Sequence, residues 1–335
     1  MRRVLLAAIA SLAVSATYLF RCPPAAAGRI PVILATDIGD DIDDTWALAL
    51  LLRSPELELR LVVTDYGDTV YRARLAAKLL QVAGRSDVPI GIGRRQGDEG
   101  GRQSEWLGDY RLEQYSGPVF EDGVQALVDT VRASKEPMTL IAIGPAPTLR
   151  AALEREPWIA EKLRLVGMFG SLREGYAEGS RPEPEWNVKA DPRAARRLLG
   201  AAWADAIVTP LDTCGRVRLE GEPYARVRAS KDPLVQALIE NYRIWCPRAD
   251  WCANDSRNVA LKSTTLFDTV AVYLAFGQEL VAVERLGVRV GDDGLTRIDP
   301  AAGRRLAWAT SWKNLKAFED LLTARLSGPG PTPTR

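Results

Sequence analysis

The sequence predicts an α/β fold with a mostly parallel central sheet flanked by helices and a Rossmann-like core. Strand-like and helix-like segments alternate along most of the chain, the pattern that βαβ units produce. The strand-like segments are short apolar runs rich in β-branched residues, as expected for strands that are buried on both faces. A dense group of acidic residues follows the first strand, where open α/β sheets place their ligands.

The individual elements follow from the same patterns. Six apolar runs predict a six-stranded sheet formed by residues 29–34, 59–64, 88–93, 138–143, 163–169 and 204–208. Apolar residues at helical spacing predict helices over residues 45–52, 70–82, 123–133 and 148–154. An apolar helix is also expected to begin at Phe267 and Asp268.

Composition limits the class of protein. The chain has 335 residues, of which 47% are hydrophobic and 26% charged, and its formal net charge is +1. It is therefore long enough to bury a substantial core, and its charge gives no electrostatic basis for binding nucleic acid. We expect one large domain over residues 28–326, with or without a small subdomain. The Gly/Pro/Thr-rich tail over residues 327–335 is predicted to be disordered.

The first 27 residues read as a secretory signal peptide. Two arginines precede an apolar run over residues 4–20, and three alanines ending at Ala27 form a small-residue cleavage site. Cleavage there predicts a periplasmic or secreted protein with no stable membrane insertion. A retained membrane anchor is the alternative, because the run is nearly long enough to span a bilayer. Cys22 does not indicate a lipoprotein, since Arg21 stands where a small residue is required.

Export affects how the cysteines are interpreted. Cys246 and Cys252 flank a short loop, and a pair this close could form a disulfide in an oxidising compartment. The sequence leaves open whether the two are bonded. Cys214 would remain as a buried, unreactive thiol.

Residues 37–44 carry five aspartates in eight positions, on the turn from the first strand to the first helix. Carboxylates this close together cannot all remain ionised unless a cation binds or some of them take up protons. Hard oxygen ligands favour calcium or magnesium over zinc. The simpler alternative is that Asp43 and Asp44 only cap the helix and interact with the positive end of its dipole.

Two other motifs with clustered aspartates do not fit. An EF-hand loop starting at Asp37 requires a Glu at its twelfth position, which is Leu48. An aspartyl-phosphate enzyme requires a nucleophilic Asp two residues before Asp37, where Ala35 stands.

Four separated motifs resemble the inosine-uridine-preferring nucleoside hydrolase family. They are Asp-Ile-Gly-Asp-Asp-Ile-Asp-Asp at 37–44, Ile-Gly-Pro at 143–145, Pro-Glu-Trp-Asn-Val at 184–188 with Asp-Pro at 191–192, and Phe-Asp at 267–268. The similarity spans about residues 30 to 315, with the motifs in the family's order. It implies a nucleoside hydrolase-like fold, hydrolysis of the N-glycosidic bond of a small nucleoside or other N-riboside, and a homodimer or homotetramer.

The resemblance also implies a role for individual residues. A Ca²⁺ ion would be held by Asp37, Asp44, Asp268 and the backbone carbonyl of Ile143, which needs no particular side chain. Asp43 would be the base that takes a proton from a calcium-bound water.

Other residues of the run and of two later motifs would complete the site. Two extra residues between the glycine and the paired aspartates make Asp41 a weaker candidate for the base. Asp68 stands where the family commonly has an Asn that touches the ribose. Together with Glu185 and Asn187 it would bind the sugar hydroxyls.

The sequence departs from the family at the leaving group. Many members have a His directly before the last metal-binding Asp, serving as acid to the departing base, but here that position is Phe267 and the chain contains no His. Residues in stretches that could approach the base are Tyr224, Tyr242, Asp250, Asp255, Trp245 and Trp251. The base specificity therefore stays open.

Three hypotheses for the function follow. The first is an exported, calcium-dependent hydrolase of ribonucleosides or related N-ribosides. The second is a binding protein that keeps the ribose and metal site without catalysis. The third is another metal-dependent hydrolase on a similar scaffold.

Overall fold

A ten-stranded sheet forms the centre of the protein. The computed structural model describes residues 28–98, 101–255 and 257–328. The strands, in chain order, are β1 (Ile30–Thr36), β2 (Leu57–Thr64), β3 (Ile90–Gly91), β4 (Val119–Phe120), β5 (Met138–Ala142), β6 (Leu163–Met168), β7 (Asp205–Thr209), β8 (Val281–Val290), β9 (Thr296–Ile298) and β10 (Arg305–Trp312). Their order in the sheet is β4-β3-β2-β1-β5-β6-β7-β10-β8-β9.

The sheet is parallel from β4 to β10, and only its last two pairings are antiparallel. The predicted α/β class with a mostly parallel sheet is confirmed. The predicted number of six strands is wrong, because β4 and the three C-terminal strands join the same sheet. Strand β8 alternates between buried and more exposed residues, so it lacks the continuous apolar run by which the inner strands were recognised.

Helices cover both faces of the sheet. The helices of four or more residues, in chain order, are α1 (Asp43–Leu52), α2 (Thr69–Val82), α3 (Ser104–Leu107), α4 (Gly123–Ala133), α5 (Pro147–Arg155), α6 (Ile159–Lys162), α7 (Trp186–Ala190), α8 (Pro192–Leu199), α9 (Leu211–Cys214), α10 (Gly221–Arg228), α11 (Pro233–Trp245), α12 (Asp250–Ala253), α13 (Phe267–Leu274) and α14 (Leu315–Ser327). All five predicted helices are present, and α4 has the predicted bounds. Among the described residues, no helix is both long and apolar enough to cross a membrane.

Alternation along β1 divides the core into two layers. Val32 and Leu34 pack with α1 and α2 on one face of the sheet. Ile33 and Ala35 pack with α4 and α5 on the other. Both faces of β1 are therefore dry, which explains why its sequence is a continuous apolar run.

The position of β1 determines where a ligand can bind. Its neighbours β2 and β5 lie on opposite sides, and the chain leaves β1 toward β2 but reaches β5 only later. A crevice opens at such a switch point beyond the carboxyl ends of the strands. The turns after β1 and β5 both open into it.

Two predicted segments lie at or beyond the ends of the described chain. Residues 1–27, the predicted signal peptide, lie outside it. At the other end α14 continues through Ser327, so the domain extends one residue further than predicted. Residues 329–335 of the predicted tail also lie outside the described chain.

Candidate active site

The turn after β1 delivers the first carboxylates. Thr36, the last residue of β1, donates from Oγ1 to Asp44 Oδ1 and accepts a hydrogen bond from the Ile38 amide at 3.1 Å. This one hydroxyl connects the end of the strand to the first turn of α1. It holds Asp44 pointing toward the crevice instead of toward solvent.

The turn after β5 lies directly beside Asp37. A Cβ on Gly144 would stand 2.9 Å from Asp37 Oδ1 and 3.0 Å from its amide nitrogen. Only glycine leaves room for the Asp37 side chain at this point. The preceding residue, Ile143, lines the same cavity, as its predicted role as a carbonyl ligand requires.

Helix α13 delivers the last carboxylate. Asp268 lies in its first turn, and its amide donates to Asp43 Oδ2 at 3.3 Å. One oxygen from each of Asp43, Asp44 and Asp268 lies within 4.8 Å of the others, and all three residues are buried. Three converging carboxylates in a buried site are a suitable ligand set for a hard divalent cation. Asp37 lines the same cavity but lies outside this trio.

Burial opposes the charge on every one of these groups. It raises the pKa of Asp37 to about 8, with further increases from the charges of Asp40 and Asp43 and an opposing decrease from Arg72. The pKa values of Asp43, Asp44 and Asp268 are raised well above the usual range, first by burial and then by neighbouring carboxylates. Without a cation the site therefore holds protons near neutral pH.

A buried arginine donates hydrogen bonds to the backbone of the acidic turn after β1. Arg72 of α2 is fully buried. It donates from Nε to the Tyr66 carbonyl at 2.7 Å, and from Nη1 to the carbonyls of Asp37 and of Ile38, the latter at 3.2 Å. Its charge therefore stabilises both the backbone of the acidic turn and the ionised form of Asp37.

Replacing Arg72 by Met should lower the free energy of unfolding by about 2–4 kcal/mol, because it leaves several buried carbonyls without a donor. Chemical denaturation would measure this change. The matched control is Arg60→Met, which removes an exposed arginine paired only with Glu58. Equal stability of the two variants would contradict the role given to Arg72.

Two polar residues after β6, Glu185 and Asn187, line the cavity. Glu185 caps α7 and accepts hydrogen bonds from the amides of Gly170, Asn187 and Val188. Burial raises its pKa to about 7. Asn187 donates from Nδ2 to the carbonyls of Ile143 at 3.2 Å and Met168 at 3.0 Å. These contacts leave Oδ1 of Asn187 as an acceptor for a sugar hydroxyl.

The predicted contact of Asp68 with substrate is not supported by its position. Asp68 does not lie among the cavity-lining residues, and its Oδ1 accepts from the amides of Val70 and Tyr71 as the N-cap of α2. The local sequence favours this outcome, because an Asp before an apolar helical segment is a typical cap. The carboxylate is used for the backbone of its own helix.

The crevice is a cavity of about 620 Å³ that is lined by buried carboxylates and by more exposed aromatic side chains. Its acidic floor consists of Asp37, Asp43, Asp44 and Asp268, with Glu185 and Asn187 beside them. Its aromatic rim consists of Tyr176, Trp186, Trp251 and Phe267. Tyr176 packs edge-on against Phe267 with ring centroids 5.9 Å apart, and its hydroxyl accepts from the Trp186 amide at 2.8 Å.

The residues considered near the leaving group divide into two sets. Trp251 and Asp255 line the cavity, whereas Asp250 does not. The side chains of Tyr224, Tyr242 and Trp245 are buried in the core, where they bond backbone carbonyls of Val259, Lys262 and Asp40 respectively. These three therefore have structural roles.

A disulfide joins Cys246 and Cys252, which settles the question left open by the sequence. It closes the loop that carries Trp251 to the cavity. Cys214 is a buried free thiol, as predicted.

A family comparison agrees with this geometry. The model of the inosine-uridine preferring nucleoside hydrolase family matches residues 32–321, which is most of the chain. The protein belongs to this family. It is therefore an N-glycosidase of the nucleoside hydrolase class. Of the three hypotheses, this favours hydrolysis of ribonucleosides over a non-catalytic binding protein and over another type of hydrolase.

Two named relatives match different shares of the chain. The chain is 26% identical over 308 residues to probable uridine nucleosidase 2 of Arabidopsis thaliana, covering 87% of this chain and 88% of that protein. It is 31% identical over 228 residues to the non-specific ribonucleoside hydrolase RihC of Klebsiella pneumoniae, covering 64% and 73%.

Among solved structures, a plant nucleoside hydrolase superposes with a TM-score of 0.76 at 22% identity, covering 90% of this chain and all of that one. The inosine-uridine preferring nucleoside hydrolase of Bacillus anthracis gives 0.70 at 20% identity, covering 89% of this chain and 99% of that one. At these identities the likeness concerns the fold.

Several residues of this nucleoside hydrolase site were not found from the sequence. Tyr176, Arg102, Arg218 and Lys262 all line the cavity. They lie in loops without a recognisable motif, so no local pattern distinguishes them from surface residues. A rule that follows each strand to its carboxyl-end loop would have drawn attention to Tyr176 after β6 and to Arg102 after β3.

Proposed function

We propose that the protein is an exported, calcium-dependent hydrolase that cleaves the N-glycosidic bond of ribonucleosides to ribose and free base. The observation that carries the proposal is the convergence of Asp43, Asp44 and Asp268 in a cavity that aromatic side chains also line. A sugar with its hydroxyls at the acidic floor directs its base toward the aromatic rim.

The donor set fits calcium. The trio of carboxylates and the Ile143 carbonyl provide hard oxygen ligands in a buried site, and Ca²⁺ accepts such ligands in flexible geometry. When bound, the ion would chelate sugar hydroxyls and make water a better nucleophile. Calcium rather than magnesium is proposed because several protein oxygens converge, whereas Mg²⁺ usually keeps most of its waters.

The chain's own residues supply the remaining chemistry. We assign the base that takes a proton from the attacking water to Asp37, because it lines the cavity but lies outside the trio that would hold the ion. This exchanges the roles that the family resemblance gave to Asp37 and Asp43. Glu185, Asn187 and the floor carboxylates place negative charge and acceptors around the ribose, where positive charge develops as the bond breaks.

Export is supported by two features of the chain. The pattern of the first 27 residues is typical of a signal peptide. The disulfide between Cys246 and Cys252 is a bond that persists in oxidising compartments such as the periplasm. We propose a periplasmic or secreted location for the mature chain from Gly28.

Release of reducing sugar from a panel of nucleosides tests the proposal. The mature chain is assayed with uridine, inosine, adenosine and cytidine in calcium, after chelation, and after calcium is restored. We expect release that is lost on chelation and recovered with calcium, and no release by Asp268→Asn. Activity that survives complete metal removal would contradict calcium dependence. Absence of release from every nucleoside would contradict the substrate class.

A further inference from the structure

Three cationic side chains line the cavity, and two of them are neutralised. Arg102 pairs with Asp40 at 2.8 Å, and Lys262 pairs with Asp255 at 2.6 Å. Arg218 lines the cavity too, but it forms no salt bridge with any carboxylate of the described chain. Its positive charge is therefore available to a ligand.

Backbone pairing fixes Arg218 beside the aromatic rim. The Leu266 amide donates to the Val217 carbonyl at 3.0 Å, and the Ser263 amide donates to the Leu219 carbonyl at 2.9 Å. Arg218 thus lies in a segment paired with the one that leads into Phe267. Its Nε also donates to Thr265 Oγ1 at 3.0 Å, which orients the guanidinium and leaves its two terminal nitrogens as donors.

The aromatic rim lacks a group that could give a proton to the departing nucleobase, and Arg218 lies beside it. Phe267 has no proton to donate, the chain has no His, and burial raises the pKa of the Tyr176 hydroxyl far above its ordinary value. A guanidinium remains protonated at all relevant pH, so it cannot act as a general acid. It can, however, stabilise negative charge that develops on a departing base.

We propose that Arg218 is the residue that assists the leaving group, by binding a base that departs as an anion with its charge on an exocyclic oxygen. The inference rests on the proposed function and adds a substrate class to it. The class consists of N-ribosides whose base is an acidic oxo-heterocycle, such as uridine. Bases whose anion cannot be placed on an exocyclic oxygen, such as adenine, are poor leaving groups here.

The step balances without a general acid. Water adds to C1′ and gives one proton to the catalytic aspartate. At the same time the C1′–N bond breaks, and its electron pair stays on the nucleobase. The base leaves as an anion paired with Arg218 and later takes a proton from solvent. The products are ribose and the neutral base.

Leaving-group acidity provides the test. Wild type, Arg218→Gln and Arg218→Lys are compared on uridine, 5-fluorouridine and 4-nitrophenyl riboside, whose leaving groups need progressively less assistance. We expect Arg218→Gln to lose about 30-fold to 100-fold in kcat/KM on uridine, less on 5-fluorouridine, and little on 4-nitrophenyl riboside. Arg218→Lys should recover part of the loss on uridine.

The control removes a similar charge outside the cavity. Arg226 is an exposed arginine on the neighbouring helix α10, and Arg226→Gln should match wild type on all three substrates. An equal loss by Arg218→Gln on all three substrates would overturn the proposal, because it would indicate a role in folding or in binding ribose. So would no loss on any of them, or a wild type that prefers adenosine to uridine. If wild type cleaves no nucleoside at all, it is the proposed function that fails.

Discussion

Replacing Asp37 by Asn should lower kcat by about 10³-fold at saturating calcium, because general base catalysis typically contributes 10²-fold to 10⁴-fold. Calcium affinity should change little, since Asp37 lies outside the carboxylate trio. Turnover of uridine would give kcat, and calorimetric titration with CaCl₂ would give the affinity. Asn has nearly the same shape as Asp, so the loss reflects proton transfer and not packing.

Asp43→Asn is the matched comparison. It should weaken calcium binding, and at moderate calcium it should also lower turnover, which excess calcium would restore in part. Asp129→Asn, an exposed change on α4, controls for the loss of a carboxylate anywhere on the molecule. If Asp43→Asn keeps calcium and loses kcat while Asp37→Asn loses calcium, the assignment from the family resemblance is right and ours is wrong.

The metal-free protein should be more stable at mildly acid pH than at mildly alkaline pH. The folded-state pKa of Asp37 is about 8, and the pKa values of Asp43, Asp44 and Asp268 are also raised, whereas an unfolded Asp titrates near its ordinary pKa of 3.8. Between these values the folded state binds more protons than the unfolded state. Stability is therefore lost as pH rises through that window, by about 1.4 kcal/mol per pH unit for each proton involved.

Calcium should reverse this dependence, because its ligands must be deprotonated and its affinity rises with pH. Thermal unfolding of the stripped protein, with and without added CaCl₂ at about pH 5.5 and about pH 8, measures both trends. We expect the calcium-induced increase in Tm to be larger at the higher pH. Asp268→Asn should flatten the pH dependence of the metal-free protein, and Asp129→Asn should not. Equal stability of the stripped protein at both pH values would contradict the raised pKa values.

The inner part of the sheet could be predicted because its strands are buried on both faces. Strand β1 and helix α4 were found from apolar runs and helical spacing alone. Strands β8 and β10 form an antiparallel pair near the edge, where side chains alternate in exposure. The apolar residues of β8 are interrupted by charged ones, and the apolar run of β10 is interrupted by Thr310 and Ser311, so a search for long apolar runs passes over both strands.

The site residues could be predicted where a recognisable motif marks them. The aspartates of 37–44, Ile143, Glu185, Asn187 and Asp268 carry recognisable motifs, and the structure places members of all four motifs in one cavity. The roles of Asp37 and Asp43 stay predictions, because they depend on distances of a few ångströms to a bound ion and substrate. Asp68 is the exception, since its side chain caps α2 and does not line the cavity, so its contact with substrate stays a prediction.

The hydrogen bond from the Asp268 amide to Asp43 joins residues 225 positions apart. Contacts of such long range close a large loop and belong to the slow steps of folding. The carboxylate trio therefore does not exist in a nascent or partly folded chain, and calcium has no complete site to bind until the last third of the domain has docked. The ion is then expected to slow unfolding more than it speeds folding, since it stabilises an arrangement that forms late. At the location that we propose for this protein, where cytoplasmic chaperones are absent, bound calcium would slow the loss of the finished fold.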